Sequence, residues 1–374
     1  MDDFLRIVND SARITALLSH LNSKTGFYLC LGSTFTSDVD GISAAGSTAQ
    51  SRRLTPAADA EALLLGQTKS LGKLPVSPLG VVSPVVITRA CLQLAAVLPD
   101  VVNCGCFIAP EIPCLSVGNS PADAISTGHA MPLDTVRALL QNGYELGLKE
   151  SSTHKTMILA ECVPGGTTTA LGVLVALGYS AHRALSSSIP SCNHEMRLAL
   201  VEQGLRNASI QPGLCDPLQI LAAVGDPMQP FVAGMALAAC RQSSVILAGG
   251  SQMLAVYALC KALASSGEIG RLEFENAELG IVTTKWVAFD QYACISDLSK
   301  QIGAPLAASC PDFRLSRHAG LRLYEDGNVK EGVGAGAAMA LAYNVMNGDG
   351  QLLMSKIDQS YDDMVGGLCS SSSL

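Results

Sequence analysis

The chain reads as an α/β protein built on a doubly wound, mainly parallel sheet, and three observations predict it. Ala, Val, Leu and Gly dominate its 374 residues, with 48% hydrophobic and only 5% aromatic side chains, a composition that suits strands buried on both faces. From about residue 81 onward, short apolar runs alternate with stretches of helical spacing, as βα units do. One apolar run, Thr156-Met157-Ile158-Leu159, passes through Glu161 and a glycine-threonine turn straight into a second apolar segment. The length is enough for one large α/β domain with an appendage.

Taken in order, residues 1–22 carry apolar side chains at 4, 5, 7, 8, 14, 17, 18 and 21, which is helical spacing. Phe27-Tyr28-Leu29-Cys30-Leu31 reads as the first strand. Residues 32–55 are rich in Gly, Ser and Thr and read as a long loop. Thr55 then reads as an N-cap with Pro56 in the first helical position, and Asp59 and Glu61 fall in the early turns. Strands are expected at 81–88 (a helix following), 101–107, 157–161, 245–248, 281–289 and 305–308, with a Pro/Gly-rich loop over 109–121 and a helix over 253–264. The serines of 370–373 read as a disordered tail.

The net charge of −8 and the lack of a basic stripe argue against a nucleic-acid partner. No apolar run approaches the roughly 18 residues of a membrane span, and Asp2 and Asp3 do not fit a secretory signal. A soluble cytoplasmic protein is the expectation. The 13 cysteines include Cys104-x-Cys106 but no C-x-x-C pair, and the six histidines are scattered. Buried, reduced thiols are therefore expected, with neither a metal nor a cofactor.

Three stretches can carry chemistry. The first is Glu161-Cys162-Val163-Pro164-Gly165-Gly166-Thr167-Thr168. A helix N-terminus presents free N–H groups and partial positive charge, so this turn is an anion site or simply a well-capped helix. No Gly-Lys-Ser/Thr follows, so it is not a P-loop. The second is Asp216-Pro217-Leu218, a capped helix start that Gly225 ends, followed by Ala233-Gly234; it reads as a helix hairpin with a small-residue packing surface. Gly249-Gly250-Ser251, after an apolar run, is a further ligand-loop candidate. The third is Lys330-Glu331-Gly332-Val333-Gly334-Ala335. Its Gly332-x-Gly334-x-x-Ala337 nominally matches a dinucleotide fingerprint, but a polar, acidic run precedes it instead of a strand. Glu331 serves either as a general base or as a dipole-complementing acid at a helix start. Lys330 pairs with substrate or is solvated.

In this order the three motifs resemble the nicotinate-nucleotide:dimethylbenzimidazole phosphoribosyltransferase family, and more closely its uncharacterised archaeal and cyanobacterial branch, of which Thr55-Pro56-Ala57-Ala58-Asp59-Ala60-Glu61 looks typical. The resemblance covers about 155–345 well and 30–155 loosely. It implies a Rossmann-like sheet at 26–345 and a small helical subdomain from the chain termini, with residues 1–25 as its N-terminal segment and 346–374 as a C-terminal segment with the tail. It further implies a homodimer, and transfer of phosphoribose from nicotinate mononucleotide to a base, giving an α-riboside phosphate for the cobamide lower ligand. A catalytically inactive nucleotide-binding regulatory protein of the same fold is the alternative.

By the same resemblance Glu331 matches the general base, and Glu161 lies near the ribose or nicotinate. The phosphate rests on Gly165, Gly166, Thr167 and Thr168. Gly249, Gly250, Gly332 and Gly334 are substrate-binding, and Arg197 stands roughly where the family carries a basic phosphate contact. The family's turn is usually Gly-x-Gly-Asn-Thr-Thr, whereas Val163-Pro164-Gly165-Gly166 precedes the threonines here. The acceptor stays open between a benzimidazole and a purine base.

Overall fold

The computed structural model describes residues 4–266, 274 and 277–365. Its strands are β1 (Leu5–Asn9), β2 (Gly26–Leu31), β3 (Pro99–Asn103), β4 (Leu115–Ser116), β5 (Thr156–Cys162), β6 (Ser244–Ala248), β7 (Leu279–Thr284) and β8 (Leu306–Ser309). Its helices are α1 (Ser11–Ser19), α2 (Ala49–Leu65), α3 (Val85–Ala95), α4 (Leu133–Ser151), α5 (Gly166–Ala176), α6 (His194–Asn207), α7 (Pro217–Val224), α8 (Met228–Ala239), α9 (Ser251–Ser266), α10 (Lys285–Ala288), α11 (Ile295–Ile302), α12 (Ala319–Arg322), α13 (Ala335–Val345) and α14 (Gly350–Val365).

Among the described residues the strands form one eight-stranded sheet in the order β1-β8-β7-β6-β5-β2-β3-β4. Only β1 is antiparallel to its neighbour. The doubly wound, mainly parallel fold expected from composition is thus the observed one. Alternate residues of each strand enter two separate cores. Tyr28, Cys30, Met157, Leu159, Val245 and Leu247 face α4, α5, α8 and α9. Phe27, Leu29, Leu31, Ile158, Ala160 and Ile246 face the other way, with α3 and α13 among the cover. From β2 the chain steps outward to β3 and β4, then returns to lay β5 on the opposite side of β2. A crevice opens at the carboxyl end of β5, beside that reversal, the usual ligand position in such sheets.

Several local expectations are corrected. Residues 1–22 are not helical throughout: β1 pairs with β8, and helix begins only at Ser11, where the Asp10 side chain accepts from the Arg13 amide at 3.3 Å. The helix expected at Thr55 starts earlier, because Thr48 and Ser51 form a reciprocal capping box. Pro56 therefore lies inside α2, and the expected 32–55 loop loses its last turns to that helix. The second half of the apolar run 81–88 is helix, not strand: Val82 makes an isolated bridge to Val76, and α3 starts after Pro84. Short apolar runs do not separate strand from buried helix, and proline pre-sets a helical start. The strand placed at 101–107 runs over Pro99–Asn103, and the one placed at 281–289 ends at Thr284, where α10 begins. The serines of 370–373 lie outside the described residues.

The small-residue surface of the second motif is where α8 meets α4. A Cβ on Gly234 would lie 2.1 Å from the Leu140 carbonyl oxygen, and one on Gly143 2.0 Å from that of Phe231. The backbones touch because neither residue has a side chain. Gly234→Ala gains helix propensity of about 1 kcal/mol but forces the two helices apart. We expect a net loss of roughly 1–3 kcal/mol, read as a lower denaturation midpoint at unchanged m-value. A midpoint at or above wild type would remove the close contact from the account.

Candidate active site

The crevice is a cleft of about 870 Å³ including its mouth, at the carboxyl ends of the central strands. Its floor comes from the end of β5 and the loop before α13. Its walls come from α2, the 75–84 segment, the 186–188 serines and the start of α9. Glu161, Gly165, Thr167, Gly250, Glu331 and Gly332 line it. Gly166, Thr168, Gly249, Gly334 and Arg197 do not.

The glycine turn is built as a strand–turn–helix unit. Gly165 has φ +83° and forms the N-cap of α5, a conformation that costs glycine little. Gly166 sits behind the turn because a Cβ there would meet the Gln252 amide at 2.3 Å. Thr168 is fully buried, and its Oγ1 has no hydrogen-bond partner among the described residues. Thr169 instead donates to Asp226 at 2.5 Å, and Asp226 also accepts from Gln252 at 2.9 Å. This buried network, which the sequence reading did not assign to the site, fixes the first turn of α5 against α9. Gln252 and Ser251 line the cleft from the α9 side.

Glu331 is carried by a strained loop. Val329, Lys330 and Val333 have φ of 64°, 66° and 54°, values that cost a β-branched residue most. Cross-links hold them there. The Val329 amide donates to the Ser188 carbonyl at 3.0 Å, and Thr284 Oγ1 donates to the Lys330 carbonyl at 2.6 Å. The Val333 amide donates to the Glu161 carbonyl at 3.0 Å, and Thr88 Oγ1 donates to the Val333 carbonyl at 3.1 Å. The bond from Val333 to Glu161 ties the third motif to the first and brings both carboxyls to one cleft. Gly334 permits the approach, since a Cβ there would lie 2.6 Å from that of Ala160.

The two carboxyls are tuned differently. Glu331 accepts from the amides of Gly332 at 3.1 Å and Gly336 at 3.3 Å and from Thr283 Oγ1 at 3.3 Å. Burial nevertheless outweighs these donors and pushes it up to about 7. Glu331 thus accepts from the first turn of α13, and a carboxyl raised to about 7 is compatible with the general-base reading. Among the described residues Glu161 accepts only from the Val163 amide, at 3.2 Å. Burial first, then the charges of Glu331 and Asp226, push it up to about 8.

Two basic residues lie where the sequence did not indicate. Lys330 is not solvated: it is buried beside the cleft, with Nζ 2.5 Å from Asp290. Asp290 also accepts from Ser186 at 2.5 Å, and these hydrogen bonds and the lysine charge hold it below the usual carboxylate range despite burial. Arg197 is fully buried away from the cleft lining, donating to the Leu185 carbonyl at 3.1 Å, with Nε and Nη1 unpartnered among the described residues. Desolvation lowers it to about 10. The serines at 186–188 and Asp59 line the cleft without having been singled out as candidates; a polar residue on a buried helix face carries no motif by which to find it.

Comparison with known proteins agrees with the fold and the motifs. Residues 89–268 match a family model described as Phosphoribosyltransferase. A UPF0284 protein of Saccharolobus solfataricus is 38% identical over 349 residues, covering 92% of this chain and 95% of that one. A UPF0284 protein of Gloeobacter violaceus is 43% identical over 339 residues, covering 90% and 87%. Among solved structures, the nicotinate-nucleotide-dimethylbenzimidazole phosphoribosyltransferase from Thermus thermophilus superposes with a TM-score of 0.58 at 15% identity, covering 94% of this chain and 87% of that one. At that identity the likeness is one of fold. With relatives of near-equal length in an archaeon and a cyanobacterium, the chain belongs to the UPF0284 family.

Proposed function

We propose that this protein transfers the 5-phosphoribosyl group of nicotinate mononucleotide to a ring nitrogen of a heteroaromatic base, releasing nicotinate and giving an α-riboside phosphate for a cobamide lower ligand. The observation that carries this reading is the convergence of Glu161 and Glu331 on one cleft beside the Gly165–Thr167 turn. The phosphate rests at the N-terminus of α5, where amides and the helix dipole favour an anion. The bond from C1′ to the nicotinate nitrogen breaks, and its electron pair neutralises the pyridinium. The ribose carbon passes through an oxocarbenium-like state, which the carboxylate of Glu161 stabilises by charge when ionised. The base nitrogen bonds to C1′ from the opposite face, inverting β to α. The proton lost from the base goes to Glu331. The homodimer and the cytoplasmic location implied by the resemblance belong to the same proposal.

Incubation with nicotinate mononucleotide and a panel of bases, read by mass spectrometry, tests it. Base-dependent release of nicotinate with a new riboside phosphate is the expected result. Binding of the nucleotide without release would instead make the protein a nucleotide-binding regulator.

A further inference from the structure

The glycine- and serine-rich stretch between β2 and α2 supplies part of the cleft lining through Ile42, Ser43, Ala44, Ala45 and Gly46. It is pinned to α2 on both sides. Arg52 donates to the carbonyls of Ser37 and Asp38 and to the Asp40 carboxylate, and Thr55 Oγ1 donates to the Ala45 carbonyl at 2.6 Å. Between these anchors the tie is of another kind. Among the described residues, the hydrogen bonds that leave the stretch from 41–44 both run to one distant segment. The Ala44 amide donates to Ser188 Oγ at 2.9 Å, and Asn193 Nδ2 donates to the Gly41 carbonyl at 2.6 Å, from partners 144 and 152 positions away. Gly41 and Gly46 bound this part with φ of 79° and 137°, torsions that glycine leaves and regains at little cost. Apart from Ile42, no side chain between them is larger than serine. A segment held by so few bonds opens more readily than the sheet beneath it. Ser188 also reaches the chemistry: its hydroxyl accepts from Ala44, while its carbonyl accepts from the Val329 amide in the loop that carries Glu331.

We propose that residues 41–46 are a lid on the cleft, latched shut by Ser188 and Asn193, which opens as one unit to pass substrate and closes to keep water from the reacting carbon. The water-excluding role rests on the transferase reading. An oxocarbenium-like ribose carbon accepts any nucleophile within reach. If water enters, its oxygen bonds to C1′ in place of the base nitrogen. The C1′–N bond breaks with its electron pair going to the nicotinate nitrogen, one proton of the water passes to solvent, and ribose 5-phosphate is left. A closed lid suppresses this loss.

The test is amide hydrogen exchange of the full-length protein in wild type, Asn193→Asp and Ser188→Ala. Aspartate tolerates the φ of 41° at position 193 but turns the donor facing the Gly41 carbonyl into an acceptor. In Asn193→Asp the Ala44 amide is expected to exchange about five- to tenfold faster, although that amide bonds to Ser188 and not to Asn193. Ser188→Ala is expected to do the same at the Ile42 amide, so the proposal does not depend on one variant folding. Unchanged exchange at both remote amides, or an Ala44 amide that already exchanges as an unprotected one in wild type, would overturn the lid. Product analysis after incubation with nicotinate mononucleotide and a base reads the chemistry separately. The ratio of ribose 5-phosphate to riboside phosphate is expected to rise in both variants with the exchange rate. Riboside phosphate formed at an unchanged ratio would overturn the water-excluding role. Faster exchange in a protein that releases no nicotinate would leave the lid standing and remove the transferase reading.

Discussion

Glu331→Gln is expected to lower the turnover of nicotinate release by about 10²–10⁴-fold, the usual worth of a positioned general base, while nicotinate mononucleotide affinity stays within about twofold. Glutamine keeps the shape of the side chain, and its oxygen still accepts from the Gly332 and Gly336 amides, as Oε1 does now. The strained 329–333 loop stays in place, because its cross-links to Ser188, Thr284, Glu161 and Thr88 run through backbone atoms of the loop. What is lost is the ability to take a proton from the attacking base. Steady-state rates and direct titration of the nucleotide separate the two effects. A variant within about threefold of wild type would remove Glu331 from the proton-transfer role and leave it as a helix cap.

The second expected effect is a steep acid limb in the pH–rate profile. A general base works only when ionised. Burial raises Glu331 to about 7 in spite of the hydrogen bonds it accepts, so the active fraction falls as pH drops through that value. Below it, kcat/KM is expected to fall about tenfold per pH unit, leaving about 1% at pH 5. An ordinary glutamate, titrating near 4.3, would show no loss over that range. Glu161 sits higher, near 8, partly through the charge of Glu331, so the two carboxyls titrate as an interacting pair. Initial rates of nicotinate release from pH 5 to 9 give the limb. A flat profile, or a limb near pH 4 to 5, would contradict the burial-driven shift. In Glu331→Gln the residual rate is expected to lose the limb near 7.

Much of the sheet was legible in the order of residues. The runs Phe27–Leu31 and Thr156–Leu159 are apolar on both faces, and each is short and bounded by polar or glycine signals, as buried parallel strands are. Misreadings concentrated where two structures share one pattern. Residues 81–88 are apolar and β-branched, yet Pro84 and the need to pack between α2, α13 and α14 make helix of Val85–Thr88. The N-terminal segment reads as helical because Leu5, Ile7 and Val8 also fit a 3.6-residue period. Pairing with β8, more than three hundred residues away, decides it. Thr55-Pro56 looks like a helix start, yet the Thr48–Ser51 capping box starts α2 seven residues earlier.

The sequence by itself determined the alternation of strands and helices, the glycine turn after Glu161, the capped Asp216 helix and the glycine-rich start that follows Glu331. Each is a short-range signal: a period, a cap, a residue that tolerates positive φ. The tertiary structure alone decided which of these meet. The bond from the Val333 amide to the Glu161 carbonyl joins stretches 172 positions apart and makes one site of two motifs. Charge state was decided there too, because a carboxyl's pKa depends on how much water its neighbours exclude, and no spacing in a sequence encodes that. The same holds for Asp59 and Glu61, two acids on one helix. Glu61 is held by the amides of Lys69, Ser70 and Glu111 and Asp59 lies against the Cys162 thiol, a difference made by the segments that fold over them.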